Sequence, residues 1–444
     1  MTIVLLSFLF EGLMCYTFGL NSATDDAGLS VSILLLTINS IILFVYIVRR
    51  YRDYDIIVSY VMVISLLLKV ALLLWDYYGT SIFILPNSHL DSEGFHNGAI
   101  LFAKHQSTRV ENYSYVIGCL YRLFGVQRIT AQFSNVILSF VGIDLLERML
   151  VLLEIDDNAR KITLFFAALL PNYLIISAIL IRECLISVIL CISLYMFVKW
   201  WKHGGAFNCI ISLIVPLAAS YFHSGAIALT IGITICVLFT RYSEKGKRVI
   251  VLSVSTIVMA VLATILIYNM FNYLSNSLLW RFHGLDINFI EEYAEDHSFY
   301  ESASANGSSY TAGIAGISGW RGVLINSPIR LLYFLWSPMP WDIRGIGDII
   351  AFFGSSLFYG GTVFAGIYQI ITRRDDPDRK ALLIAMLILS LCGALIFAWG
   401  VDSAGSALRH REKFYFIYLL LFAVLKNRNQ VIEQTESRVT GYIK

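Results

Sequence analysis

The stretch that decides the fold is residues 55–75, DIIVSYVMVISLLLKVALLLW, and the polar stretch His89-Leu-Asp91-Ser-Glu93-Gly-Phe-His96 follows it after a short connection. The first stretch is apolar over about 20 residues, which is the length that crosses the hydrocarbon core of a bilayer. The second stretch gathers two carboxylates and two imidazoles beside it. Such groups are costly to place near hydrocarbon, so the pair of stretches indicates chemistry at a membrane surface.

Apolar runs of the same kind recur along the chain. Of its 444 residues, 57% are hydrophobic and 14% are charged, whereas about 25% are charged in an average globular protein. We therefore predict an all-α, polytopic integral membrane protein with about 12 transmembrane helices, forming a single domain over residues 1–444. The predicted spans are residues 2–20, 29–48, 55–75, 129–153, 162–181, 184–196, 206–222, 226–240, 249–271, 346–371, 381–400 and 414–425.

The distribution of charge predicts the topology. Basic residues are concentrated in alternate short loops, at residues 49–52, 160–161, 199–202, 241–248 and 373–380, and in the tail at 426–444. The positive-inside rule then places both termini in the cytoplasm of a multi-pass protein of the cell (inner or plasma) membrane. The two large outer loops are residues 76–128 and 272–344. Residues 322–336 are too short for a span and contain Pro328 and Arg330, so we interpret them as an interfacial or re-entrant segment.

Two amphipathic surface helices are predicted in the first outer loop, at residues 92–105 and 113–124. In the first of them Phe95, Ala99 and Phe102 share one face, and Asp91 or Ser92 can cap its start. The second has the same periodicity of apolar residues. We expect both helices to lie on the outer surface of the membrane.

The Asp91–Glu93 pair is the first candidate for catalysis. An acceptor hydroxyl that attacks a sugar carbon must lose its proton, and a carboxylate beside the membrane can act as the general base. Glu93 can orient Asp91, or it can hold a divalent cation together with Asp91 and His89. No cofactor is otherwise indicated. The structural alternative is that Asp91 caps the helix and the other residues are solvated.

The second candidate site consists of basic residues on the predicted outer side of the membrane, where the positive-inside rule predicts few of them. Arg182, next to Glu183, lies where two predicted spans turn at the outer face, and Arg409-His410-Arg411 stands before the last span. Arginine binds phosphate oxygens bidentately, which suits a lipid-linked phosphate at this depth. The alternative is salt bridging between helices. His223 lies at the outer end of another predicted span and is a candidate of the same kind.

The chain resembles the GT-C glycosyltransferases, which take sugars from polyprenyl-phosphate carriers on the outer or luminal face. The residues that carry the resemblance are the acidic loop Asp91-Ser-Glu93, the two surface helices, Leu123-Phe-Gly-Val-Gln-Arg-Ile-Thr-Ala-Gln-Phe-Ser-Asn135, Leu170-Pro171-Asn172-Tyr173 and Ile181-Arg182-Glu183. The resemblance covers roughly residues 55–201, with Arg409-His410-Arg411 resembling the late phosphate site more loosely. It implies Asp91 as catalytic base, Glu93 as its partner, and Arg182 with Arg409 or Arg411 at the phosphate. The chain departs from the family in that three predicted spans, two more than usual, precede the acidic loop, which in the family follows the first span.

The sequence thus favours a membrane glycosyltransferase that acts during surface-polysaccharide assembly. Its partners would be a lipid-linked sugar donor, a glycan acceptor and membrane lipids. The long second outer loop also resembles Wzy-type repeat-unit polymerases, which would make Arg281, Arg321, Arg330 and Arg344 the residues to test. A polysaccharide flippase or permease that uses the intramembrane residues Glu11 and Lys69 is a third interpretation. No nucleotide-binding or metalloprotease motif is present, and nothing indicates nucleic-acid binding.

Overall fold

The structure is a computed structural model. It describes residues 26–107, 109–242, 248–250, 254, 257–259, 261–266, 269, 319–372, 377–401 and 403–427. The helices are α1 (Asp26–Tyr51), α2 (Ile56–Tyr78), α3 (Leu90–Ala103), α4 (Asn112–Phe124), α5 (Arg128–Leu152), α6 (Asp157–Leu169), α7 (Pro171–Ile176), α8 (Glu183–His203), α9 (Ala206–Ser220), α10 (Ile227–Phe239), α11 (Gly319–Trp336), α12 (Ile346–Ala351), α13 (Leu357–Thr372), α14 (Pro377–Trp399), α15 (Ala404–Arg411) and α16 (Tyr415–Lys426).

Helices dominate the described residues, in agreement with the predicted fold class. The exception is a two-stranded antiparallel ribbon of β1 (Thr240–Tyr242) and β2 (Arg248–Ile250), in which Arg241 pairs with Val249. The ribbon corrects the prediction that a helix begins at Val249. A π-helical turn, Phe352–Ser356, joins α12 to α13, so these two helices form one continuous run.

The described part of the chain contains five helices that are long and apolar enough to cross a membrane. They are Ser32–Tyr51, Ile56–Tyr78, Glu183–His203, Ile346–Thr372 and Pro377–Trp399. Shorter apolar helices are Ala206–Ser220, Ser224–Phe239 and Ile257–Leu266. This composition is consistent with a helical membrane protein. The predicted span at residues 2–20 lies outside the described residues.

The distribution of apolar side chains on α2 also fits a lipid environment. One face of α2 is buried, whereas Ile57, Tyr60, Ile64 and Leu67 are each between 47% and 68% exposed and follow one another at helical spacing. A continuous stripe of exposed apolar side chains is unfavourable in water and natural against lipid. The packed side of α2 therefore faces protein, and the stripe is the surface that would meet acyl chains.

Contacts within the chain define two compact units. The first comprises Met1–Asp144 and Phe165–Val188, and the second comprises Leu145–Leu164 and Ile189–Lys444. Both α5 and α8 begin in the first unit and end in the second. The acidic stretch belongs to the first unit, and the basic residues around Arg409 belong to the second.

The predicted span at residues 162–181 is wrong as a single helix. The structure ends α6 at Leu169, places Leu170 in an extended conformation, and starts the short α7 at Pro171. Proline disfavours helical geometry in the residue before it, which explains the break. Beyond α7 the backbone is irregular, and Asn135 Nδ2 donates to the carbonyls of Ile179 (2.8 Å) and Ile181 (3.0 Å). These hydrogen bonds satisfy backbone groups that no helix satisfies.

The two predicted helices of the first outer loop are present as α3 and α4, and their apolar faces pack against each other. Phe95 contacts Tyr113 edge to face with 5.0 Å between ring centroids, and Gly118 allows Phe102 to approach α4 closely. Arg122 on α4 donates two hydrogen bonds to the Phe102 carbonyl, at 3.1 and 2.6 Å, near the end of α3. The pair is thus a helical hairpin, and its position at the outer surface of the membrane stays a prediction.

Candidate functional site

The candidate site in the first unit is built on the first turn of α3. The helix begins at Leu90, and His89 before it has a positive φ of 80°. Neither Asp91 nor Ser92 caps the helix, which corrects that prediction, because both lie inside the first turn. Asp91 and Glu93 instead stand in the first turn, at the N-terminal end where helices commonly carry acidic residues.

Glu93 is bound by an arginine that starts α5. Arg128 Nη1 donates to Glu93 Oε1, and the same guanidinium donates through Nη2 to Ser92 Oγ at 3.1 Å. The Glu93 side chain is 36% exposed, and that of Arg128 is 12% exposed. The ion pair therefore ties the start of α3 to the start of α5.

Asp76, near the end of α2, completes this network from the other side. Its Oδ2 accepts hydrogen bonds from Gln132 Nε2 (2.6 Å) and Arg128 Nη2 (3.4 Å), while its Oδ1 accepts from the Ser88 hydroxyl. The Asp76 side chain is completely buried. A buried carboxylate is stable only when it is paired and hydrogen bonded, and Asp76 meets both conditions. We call Asp76, Glu93 and Arg128 the acidic clamp.

His96 lies one turn after Glu93 on the same side of α3. Its Nδ1 is 2.9 Å from the hydroxyl of Tyr121 on α4, and the two rings meet edge to face. Burial and, to a smaller extent, the positive charge of Arg128 lower the pKa of His96 to about 4, although Glu93 acts in the opposite direction. His96 is therefore a neutral imidazole at physiological pH.

Asp91 and Glu93 point to different sides of α3. Residues two apart on a helix are separated by about 200° around its axis, so they do not face each other. Consistent with this, Asp91 is exposed, whereas Glu93 reaches Arg128. Glu93 therefore anchors the helix that carries Asp91, and the prediction that it contacts Asp91 as a direct partner is not supported by the helical geometry.

A metal site at His89, Asp91 and Glu93 is not formed. Within the described residues, no group of three or more histidine, cysteine, aspartate and glutamate side chains is arranged to hold a metal ion. His89 has left the helix, so it does not share a helical face with Glu93, and Glu93 and Asp91 diverge. The donor set that the sequence suggested is therefore dispersed.

Arg182 is also in the first unit, in the irregular segment before α8. Its Nη1 forms an ion pair with Glu111 Oε2 at 3.2 Å, and its guanidinium carbon lies 5.4 Å from the centroid of the Phe95 ring. The Glu111 side chain is 64% exposed. Arg182 thus forms the salt bridge that was the alternative to phosphate binding. An exposed ion pair of this type is weak and can exchange with another anion.

In the second unit, the rings of His223 and His410 pack close to each other and to the ring of Phe397. Their ring centroids are 5.1 Å apart, and each lies 4.9 Å from the centroid of Phe397. His223 Nδ1 accepts from the N–H of Gly225 (3.2 Å), and His410 Nδ1 is 2.5 Å from Lys413 Nζ. The structure therefore brings together two of the residues that the sequence proposed for phosphate binding, and adds a buried lysine.

Arg409 and Arg411 are in different environments. Arg411 is fully buried, and its guanidinium donates to the carbonyls of Leu335 and Ser337, both at 2.6 Å, and to Ser356 Oγ at 3.2 Å. These carbonyls lie at the C-terminal end of α11, where the helix dipole is negative. Arg411 is therefore a cap for that helix. Arg409 is half-buried, and burial lowers its pKa to about 10, so it stays cationic at neutral pH.

The other residues singled out from the sequence are dispersed. Arg330 Nη1 donates to the Trp399 carbonyl at 2.8 Å, and Arg344 is exposed. Lys69 is fully buried, donates to Ser139 Oγ at 2.7 Å and lies 4.6 Å from the centroid of Phe140. Glu11 and Arg281 lie outside the described residues, as does the side chain of Arg321.

Sequence reasoning missed Asp76, Arg128 and Lys413 as site residues. Asp76 and Arg128 are 52 positions apart, and nothing in the sequence pairs them. The available signal was positional, since Asp76 stands near the end of an apolar run and Arg128 at the start of the next one. Such ends meet when consecutive spans pack side by side.

We compared the chain with family models, curated proteins and solved structures, and none of them matches it.

Proposed function

We propose that this protein is a membrane glycosyltransferase of GT-C type. It moves a sugar or oligosaccharide from a polyprenyl-phosphate or polyprenyl-pyrophosphate carrier on the outer face of the membrane, during surface-polysaccharide assembly. The observation that carries the proposal is the geometry of α3. An exposed Asp91 stands in its first turn, and the acidic clamp anchors that turn to the ends of two apolar helices.

In this mechanism Asp91 is the general base. The acceptor hydroxyl gives its proton to a carboxylate oxygen of Asp91 as the hydroxyl oxygen forms the new bond to the anomeric carbon. The bond between that carbon and the carrier phosphate breaks, and the phosphate leaves with the electron pair. Exposure lets the acceptor reach Asp91.

Each unit has its own candidate for binding a carrier phosphate. In the first unit it is Arg182, and in the second it is the group of His223, Arg409 and His410. Arg182 carries a weak, exchangeable ion pair, and Arg409 is cationic at neutral pH. Lys413 adds a third cationic or donor group beside His410. Arg411 is not part of this proposal, because its guanidinium is committed to carbonyl groups. The carrier tail would lie against the apolar helices, in contact with membrane lipids.

The membrane arrangement that accompanies this function is also a proposal. We propose about 12 spans, a plasma-membrane location and cytoplasmic termini, with α3 and α4 at the outer surface. The charge distribution of the loops supports this arrangement. It would place the acidic clamp on the side of the membrane where lipid-linked sugars are used.

A repeat-unit polymerase is the second candidate. The cluster of His223, His410 and Lys413 favours it, because that chemistry relies on cations that bind lipid pyrophosphates more than on Asp91. The exposed Arg344, in the second outer loop, is a further cation. Both candidates act on polyprenyl-linked glycans. They differ in the lipid-linked product that accumulates without the protein, and one experiment can therefore separate them.

That experiment is the lipid-linked glycan profile of the native host after deletion of this gene. Mass spectrometry of carriers that bear a unit short by one sugar would support the monosaccharide transferase. Complete single units that accumulate without long polymer would support the polymerase. A profile identical to that of the parent strain would contradict both.

A further inference from the structure

The hydrogen bond between Tyr121 and His96 fixes the position of the imidazole proton. Tyr121 is buried, and burial raises the pKa of its hydroxyl, so the phenol is neutral and carries a proton that needs an acceptor. The only acceptor in contact with it among the described residues is His96 Nδ1, at 2.9 Å. A hydrogen bond donated by the Tyr121 hydroxyl to Nδ1 requires the neutral ring of His96 to carry its own proton on Nε2. His96 is half-buried, so its ring is partly accessible to a ligand.

Glu93 supplies an acceptor on the same side of α3. It precedes His96 by three residues, so the two side chains are neighbours on the helix surface. Arg128 occupies Glu93 Oε1, and no other hydrogen bond within the described part of the chain uses Oε2. The side chain is 36% exposed. The clamp thus holds one carboxylate oxygen in place and leaves the second available.

We propose that Glu93 Oε2 and the Nε2–H group of His96 form a subsite that binds two neighbouring hydroxyl groups of a sugar ring. One sugar hydroxyl donates to the carboxylate, and the next accepts from the imidazole. Arg128 and Tyr121 are positioning residues, since Arg128 holds the carboxylate and Tyr121 sets the tautomer. This inference rests on the proposed function and deepens it, because it assigns the recognition of the sugar to one side of α3 and the proton transfer to Asp91.

The chemistry of the subsite predicts selectivity for a diol. A carboxylate and a neutral N–H group match one donor and one acceptor, which each sugar hydroxyl can provide. A site built for hydroxyl groups discriminates strongly against analogues that lack them, since its polar groups are then left unpaired. The sugar that occupies the subsite belongs either to the lipid-linked donor or to the glycan acceptor.

The test uses two substitutions of His96, one that keeps a hydrogen-bond donor near the position of Nε2 and one that does not. Gln places its amide nitrogen near the position of Nε2 and keeps the donor, whereas Asn is too short to reach it. Transfer is measured with purified full-length protein, with lipid-linked glycans from the deletion strain as acceptor and polyprenyl-phosphate sugars from the parent membranes as donor. For H96N we expect the KM of one substrate to rise about tenfold with kcat within about twofold, and for H96Q a KM within about threefold of the parent value.

His105→Asn is the matched control. His105 is exposed and has a φ of 57°, a conformation that Asn tolerates well, so the substitution should change neither constant. A rise in the donor KM assigns the subsite to the donor sugar, and a rise in the acceptor KM assigns it to the acceptor. If H96N and H96Q leave both KM values unchanged, or change them equally, the inference is overturned.

A second measurement does not depend on activity. Nitrogen-15 NMR of histidine-labelled protein in detergent should show His96 as a neutral Nε2–H imidazole at pH 7, and Y121F should allow the other tautomer to appear. An Nδ1–H ring in the parent protein would overturn the inference by itself. If the tautomer is as expected but the parent protein transfers no sugar, the proposed function fails and the sugar subsite fails with it. Transfer that is indifferent to His96 would leave the proposed function standing alone.

Discussion

Arg128 illustrates how one side chain can set the geometry of a site at the residue scale. Its guanidinium binds Glu93 on α3, Asp76 on α2 and the hydroxyl of Ser92, while the arginine itself starts α5. A planar fork can serve several oxygens at once, which a lysine ammonium cannot do with the same geometry. The position of Asp91 therefore depends on Arg128, whose role nothing in the surrounding sequence indicates.

We predict that Arg128→Gln lowers the free energy of unfolding by about 3 kcal/mol, because it leaves Asp76 buried without its cation. Arg128→Lys keeps the charge but not the fork, and should lose about half as much. The measurement is the melting temperature of the purified protein in detergent. Arg109→Gln, at an exposed arginine of the same loop, should melt like the parent. Equal melting temperatures for all four proteins would show that the clamp does not stabilise this region.

The neutral His96 predicts a dependence of stability on pH. Its pKa is about 4 in the folded protein, where Glu93, Arg128 and Tyr121 face it, and near 6.5 when the chain is unfolded. Between these values only the unfolded state binds the proton, so stability is complete above pH 6.5 and is lost as the pH falls toward 4. We expect a loss of about 2 kcal/mol between pH 7 and pH 4.5, and a smaller loss in H96Q. Parallel melting curves for the two proteins across this range would contradict the assignment.

At the scale of elements, periodicity and length predicted most helices well. The predicted run at residues 346–371 is observed as Ile346–Thr372, and the predicted run at 381–400 as Pro377–Trp399. The prediction failed at Leu170–Pro171, where apolar composition hid a break that the proline imposes. It also failed at the start of α3, because the helix begins at Leu90 and so places Asp91 and Ser92 inside the first turn, where they cannot be the N-cap.

The two arginines of α15 give a prediction that belongs to this scale. Arg411 caps α11 through buried carbonyls. Arg411→Gln should therefore lower the free energy of unfolding by about 3 kcal/mol, which is the typical cost of leaving buried polar groups without their charged partner. Arg409→Gln should leave the melting temperature within about 2 °C of the parent and raise the KM for the lipid-linked donor. Melting in detergent and steady-state transfer measure the two effects. A stable R411Q protein would refute the capping role, and an unchanged donor KM in R409Q would remove Arg409 from the phosphate site.

At the scale of the whole molecule, the sequence predicted a helical membrane protein but not the pairing of its distant parts. The contact of Asp76 with Arg128, and that of Arg411 with Ser337 across 74 positions, depend on which helices become neighbours. Composition and periodicity are properties of single segments, so they carry no information on such neighbours. This is why the acidic stretch could be found from the sequence, while the clamp that holds it could not.

The predicted topology can be tested with reporter proteins fused at different points of the chain. Both termini should be cytoplasmic, since basic residues fill the loops on that side. A fluorescent protein fused after Lys444 should therefore fluoresce, and alkaline phosphatase fused there should be inactive. Fusions after Ser107, in the first outer loop, should give the opposite pair of results. Active phosphatase at Lys444 would reverse the orientation and place the acidic clamp on the cytoplasmic side.

The central claim is that Asp91 is the general base of a glycosyl transfer, and complementation of the deletion strain tests it most directly. The strain would carry the parent gene, D91N or D157N, at matched protein levels in the membrane, and its lipid-linked glycans would be measured by mass spectrometry. Asp157 is an exposed carboxylate in the first turn of α6 and serves as the matched control. We expect the parent gene and D157N to restore the parent profile, and D91N to transfer at least about 100-fold less. Restoration by D91N equal to that by the parent gene would contradict the claim.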